Sequence, residues 1–264
     1  MTDSHEPSAE PIPPLVVYRA RRVITLNPAR PFATAVAVRE GRILGVGSVE
    51  ELSGWTAGTD RAVIDERFAD HLLLPGFVEA HSHVMAGGMW TMPYVGFFDR
   101  RSPDGRQWSG CRSIDDVVDR LIEVDAAMAA GGAAPDELLV AWGLDPIYFD
   151  GERLVATHLD RVSATRPVFV YHASAHLATV NSALLTRAGI TATTPTPGVS
   201  RRADGEPDGE LQEPPAMLLA GEAFDRIRSA MTAPEALWNY GYEARNAGHT
   251  LVTDLGTSQL IEPD

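Results

Sequence analysis

HLLLPGFVEAHSHV, residues 71–84, decides how the rest of the chain is read. A run of three leucines meets the turn pair Pro75-Gly76. Phe77 and Val78 resume the apolar pattern, and His81 and His83 follow at a spacing of two. Successive side chains of a strand alternate between faces, so a spacing of two puts both imidazoles on one face. Two imidazoles on one face at the C-terminal end of a strand can chelate a divalent metal. In barrel enzymes that end carries the chemistry. A bare HxH is as often two unrelated surface histidines. Its weight comes from the apolar strand and the Pro-Gly turn before it.

Upstream of this stretch, residues 1–14 are acidic and Pro-rich without a periodic apolar face, and read as a flexible tail. LVVYRARRVITL then gives a strand ending at the turn pair Asn27-Pro28. ATAVAVREGRILGVG reads as two strands around the hairpin signal Glu40-Gly41, and AVID at 62–65 as another strand. With no helix between these strands until about residue 50, residues 15–70 are expected to form a small antiparallel β-sandwich.

Downstream, strand and helix alternate. Residues 113–130 carry a helical apolar stripe with Ser113 as N-cap and Gly131-Gly132 as stop. ELLVAWGL (137–144), RPVFVYHA (166–173) and HTLVTDLG (249–256) read as strands. NSALLTRAG (181–189) reads as a short helix ending at glycine, and residues 191–215 as an excursion or hairpin loop. A helical stretch over about 215–247 breaks near Thr232-Ala233-Pro234. This alternation predicts an α/β region, 71–264, with a parallel sheet of about four βα units. A closed (β/α)8 barrel needs eight strands, so the count does not close one.

Lys and Arg number 22 against 36 Asp and Glu, a net charge of −14. So acidic a chain repels nucleic acid and anionic lipid, and neither is the expected partner. No apolar run is long enough to span a bilayer, and the N-terminus lacks the pattern of a signal peptide. A cytoplasmic location is the expectation. Cys111 stands alone, which excludes a disulfide framework and a Cys-rich zinc site.

LLLPGFVEAHSHV resembles the first barrel strand of the amidohydrolase superfamily, whose signature is PGF, an acidic residue and HxH. TLNPARPFATAVAVREGRILGVG resembles that superfamily's N-terminal sandwich. VFVYHASAHLATVNSALLTRAGI and DGEPDGELQEP are similar to the branch of N-substituted formamide deformylase-like enzymes. The resemblance runs from about Leu15 to Gly256. It implies a partial metal-dependent-hydrolase (β/α)8 barrel preceded by the small β-sandwich. It also implies hydrolysis of C–N bonds, other than peptide bonds, in small amide, formamide or N-acyl substrates. His81 and His83 match the first two ligands of a divalent metal, zinc being the expected one. Such an ion lowers the pKa of bound water towards about 7.

The resemblance carries over less cleanly elsewhere. After His176 the only histidine is His249, at the start of the fourth strand, where it faces the wrong end. The superfamily's later histidines and final aspartate have no counterpart, so the chain is expected to be the N-terminal half of a longer enzyme without a complete active site. Glu213, within GELQEP, would supply the site carboxylate by family analogy, or is a solvated charge. Asp254 ends the fourth strand at the presumed site end, or forms a turn. His172 and His176 follow a strand end and suit substrate contact, or cap the turn. Trp142 and Asp145, in AWGLDP, would line the substrate pocket, core packing being the alternative for Trp142. Asn181 reads as an N-cap. The competing readings are a non-catalytic remnant or partner-dependent half-barrel module, and a deaminase or cyclic-amide hydrolase of the same superfamily. Exposed strand edges of a half barrel favour pairing with another chain, so a homo-oligomer is left open.

Overall fold

The computed structural model describes residues 15–56 and 62–256. The expected N-terminal tail, residues 1–14, lies outside them. The chain divides into two compact units, Met1–Phe77 and Val78–Asp264.

In the first unit β1 (Leu15–Ile24), β2 (Phe32–Arg39), β3 (Arg42–Gly47) and β4 (Ala62–Leu73) form one sheet in the order β3-β2-β1-β4, with a short helix α1 (Ser53–Thr56) before β4. The two central residues of the β2–β3 turn are Glu40 (φ 51°) and Gly41 (φ 70°). Two consecutive left-handed residues match the twist of a tight hairpin, as the Glu40-Gly41 signal predicts. Leu15, Val17, Ala35, Ala37 and Leu52 make the core of this unit. Two differences from the expected sandwich stand out. The described residues build a single sheet, and β4 runs parallel to β1, with Val16 opposite Val63. AVID therefore returns alongside the first strand instead of meandering back against it.

The second unit opens with β5 (Phe77–Ser82) and a 3-10 helix, Val84–Thr91. The short pair β6 (Arg100–Arg101) and β7 (Gln107–Trp108) precedes α2 (Ile114–Ala130). Ser113 caps α2 in a reciprocal box with Asp116, and Val117, Val118 and Leu121 turn the apolar stripe inward. Next come β8 (Leu139–Leu144), α3 (Ala156–Leu159), β9 (Val168–His172), β10 (Leu177–Val180) and α4 (Ser182–Ala188). The chain continues through β11 (Val199–Arg201), β12 (Pro207–Gln212), α5 (Glu213–Met217), α6 (Glu222–Thr232), α7 (Pro234–Asn246) and β13 (His249–Asp254). The break between α6 and α7 falls at Ala233-Pro234, where the sequence places it.

Strands β8 and β9 are buried at every position because both faces of their sheet are covered. Val140, Trp142, Phe169 and Tyr171 belong to one core, and Leu139, Ala141, Val168 and Val170 to another. The sheet order is β11-β12-β10-β9-β8. Only β8 and β9 run parallel, and the other three pairs are antiparallel. The excursion over 191–215 is thus a hairpin that extends the sheet.

The four strands expected to run as one parallel set lie in two sheets: β5 pairs with β13, and β8 with β9. Strand β5 is open, with Phe77 and Val78 both more than half exposed. Among the described residues β13 is its one partner strand. The 3-10 helix after β5 is held by α7. A Cβ on Gly87 would sit 2.1 Å from the Ala236 carbonyl oxygen, a contact only glycine permits.

Candidate active site

The end of β5 carries the histidine pair. The His81 and His83 rings meet edge to face with centroids 5.4 Å apart, as same-face projection requires. Both residues are exposed. Glu79 accepts the backbone N–H of His81 at 3.0 Å, which fixes the local turn of the strand. On the neighbouring strand, Asp254 accepts the backbone N–H of Val84 (3.0 Å) and of Gly256 (2.7 Å). Its Oδ1 lies 3.9 Å from His83 Nδ1. The pair of imidazoles suits a divalent transition metal in donor type. Among the described residues, however, no group of three His, Cys, Asp or Glu side chains converges to hold one. The fit is therefore to two ligand positions, not to a complete centre.

The sequence marks Trp142 and Asp145, and both reach a cavity of about 380 Å³ at the C-terminal end of β8. Trp142 is largely buried, its ring packed against Trp90 (5.0 Å) and Tyr94 (5.3 Å). Asp145 accepts the Ile147 N–H at 3.2 Å and caps the short helix Pro146–Tyr148. Tyr94, Phe97, Phe98, Arg100 and Tyr148 also line it and were not singled out by the sequence reading. The signal was present in YVGFFDR at 94–100 and in IYF at 147–149, two aromatic clusters in irregular segments. Arg100 sits over the Trp90, Tyr94 and Trp142 rings and pairs with Glu243. Burial lowers its pKa and raises that of the Tyr94 hydroxyl.

His172, expected to face a substrate, is a core residue. It is 2% exposed, and its Nε2 meets Thr179 Oγ1 at 2.9 Å. Burial, with the nearby Arg153 charge, pushes its pKa down to about 3. Asn181 is a cap, as read. Its Oδ1 accepts the N–H of Leu184 and of Val168, both at 3.0 Å, while its Nδ2 donates to the carbonyls of Ser163 and Arg166. The Cys111 thiol is buried and pushed up to about 11 by desolvation, which removes it as a nucleophile.

His176 and Glu213 lie 37 residues apart in sequence and meet in space. His176 Nδ1 is 2.9 Å from Glu213 Oε2, and both side chains are well exposed. The Glu213 N–H donates to the His176 carbonyl at 2.7 Å. Glu213 has φ 64°, and Ala175, beside His176, has φ 62°. A left-handed residue with a Cβ costs about 1–3 kcal/mol, whereas an exposed imidazole–carboxylate contact returns about 0–1 kcal/mol.

The mixed α/β unit carries paired imidazoles at one strand end and an aromatic cavity at another. The chain belongs to the amidohydrolase family, whose model matches residues 69–245. It is 29% identical over 237 residues to Protein LONG AFTER FAR-RED 3 of Arabidopsis thaliana, covering 89% of this chain and 37% of that protein. It is 29% identical over 209 residues to the N-substituted formamide deformylase of Arthrobacter pascens, covering 77% of this chain and 35% of the enzyme. The chain thus spans little more than a third of the length of these two curated relatives. A solved structure of an uncharacterized metal-dependent hydrolase from Pyrococcus horikoshii OT3 aligns with a TM-score of 0.46 at 15% identity, over 90% of this chain and 42% of that one.

Proposed function

We propose that this chain forms part of a metal-dependent hydrolase that cleaves C–N bonds, other than peptide bonds, in amide, formamide or N-acyl small molecules. The observation that carries this reading is the His81–His83 pair, its rings 5.4 Å apart at the end of β5. His81 and His83 would hold a divalent transition metal, zinc by the family resemblance. When bound, such an ion supplies an activated water at neutral pH and polarises a carbonyl. Asp254 stands beside His83 on the neighbouring strand. Trp142 and Asp145 contact substrate in the aromatic cavity, and His176 with Glu213 handles protons.

Cobalt titration tests the metal site, because the visible absorption of bound Co²⁺ reports imidazole ligation. A coordination spectrum that vanishes in His81→Ala/His83→Ala is the expected result. In buffer saturated with zinc, slow amine release from N-formyl or N-acyl amines should exceed that of the double variant. Identical spectra and identical turnover in the two proteins would overturn the reading.

A further inference from the structure

We propose that His176 and Glu213 act as one proton-handling unit, in which the carboxylate locks the imidazole as its Nδ1–H tautomer and presents Nε2 as a base. The use made of that base rests on the hydrolase reading above; the lock itself does not. An ionised carboxylate only accepts hydrogen bonds, so the 2.9 Å contact requires the proton on His176 Nδ1. The neutral ring then carries its lone pair on Nε2.

The backbone is shaped to make this contact. Strands β10 and β12 pair in register up to Leu177 opposite Gln212. The next residues outward on the two strands are His176 and Glu213. Both segments there pass through left-handed residues that are not glycine, Ala175 and Glu213. The Ser174 hydroxyl accepts the His176 N–H at 3.3 Å, and the His176 carbonyl accepts the Glu213 N–H. The ring and the carboxylate are therefore brought together by a backbone clamp that so exposed a contact would not repay in stability. Strain retained without a stability return points to use of the group it positions.

In amide hydrolysis the step balances as follows. The attacking water forms the C–O bond and gives a proton to His176 Nε2. The tetrahedral intermediate collapses, the C–N bond breaks with its electron pair on nitrogen, and the Nε2 proton passes to the departing amine. The Glu213 carboxylate stabilises the transient imidazolium, as a positioning residue acting through His176.

The test compares wild type with Glu213→Asn, because asparagine tolerates the left-handed backbone but is one methylene too short to reach the ring. Imidazole ¹⁵N spectra above the histidine titration range read the tautomer, and mass spectrometry after diethyl pyrocarbonate treatment reads the modification rate at His176. The expected wild-type ring is the Nδ1–H form. In Glu213→Asn the tautomer should shift towards Nε2–H, with modification slowed at least threefold. An Nε2–H ring in wild type, or a tautomer and rate unmoved in the variant, overturns the lock. In zinc-saturated buffer, His176→Asn should lose at least tenfold in kcat on alkylamides and less on anilides, whose amines leave without early protonation. Equal losses on both overturn the proton-transfer role. No turnover in wild type on either substrate counts against the hydrolase reading and leaves the lock to be judged on the tautomer.

Discussion

Asp254 Oδ1 stands 3.9 Å from His83 Nδ1, two residues 171 positions apart held face to face by the pairing of β13 with β5. The same carboxylate accepts the Val84 and Gly256 N–H groups, so it ties the end of β13 to the segment after β5. Asp254→Ala strands the partly buried Val84 N–H and is expected to cost about 1–3 kcal/mol. Chemical denaturation measures that loss. Asp254→Asn keeps an acceptor and should recover at least half of it; equal losses in the two variants would contradict this account.

Asn181 caps α4 with four hydrogen bonds from a fully buried amide. Replacing it by alanine uncaps α4 and leaves the Val168 N–H and two carbonyls unpaired. The expected destabilisation is about 3 kcal/mol, beyond an ordinary cap loss of about 1 kcal/mol. Urea midpoints of the wild type and Asn181→Ala decide between the two.

His172 gives the stability a pH dependence of known sign. Its pKa falls from 6.5 to about 3 in the fold, so the unfolded chain binds the extra proton first as pH drops. Its contribution is full above about pH 6.5 and is lost progressively as pH falls towards about 3. A His172→Asn variant should show a flatter profile of unfolding free energy between pH 6.5 and 4. A profile parallel to wild type would remove His172 as the cause.

Catalytic zinc takes three protein ligands and a water, and the described residues gather two imidazoles. Without added metal, the purified 264-residue chain should therefore hold well under one equivalent of zinc and hydrolyse N-acyl amines at close to the rate of His81→Ala/His83→Ala. Stoichiometric zinc, measured by elemental analysis, together with turnover absent from the double variant, would mean that further ligands come from elsewhere in this chain or from a second copy.

The sequence by itself determined what depends on a few adjacent residues. The period of two placed His81 and His83 on one face, because a strand's side-chain alternation is local. Ser113 and Asn181 announced their helices, and Pro234 separated α6 from α7, because caps and prolines act within one turn. The Glu40-Gly41 hairpin was legible for the same reason. Family membership was also legible, since PGFVEAHSH is contiguous.

Only the tertiary structure decided which distant segments meet. The apolar character of AVID does not say that β4 lies parallel to β1, nor does that of β5 say that β13 is its partner. Strand pairing is chosen by competition among long-range contacts that local pattern leaves equal. His172 and His176 have the same sequence setting, yet one is buried against Thr179 and the other exposed beside Glu213. The turn through Ala173–Ala175 and the register of β10 on β12 separate them. The aromatic cavity likewise joins segments about 50 residues apart. Its rings were visible one by one, but their convergence is a property of the packed sheet end and of nothing shorter.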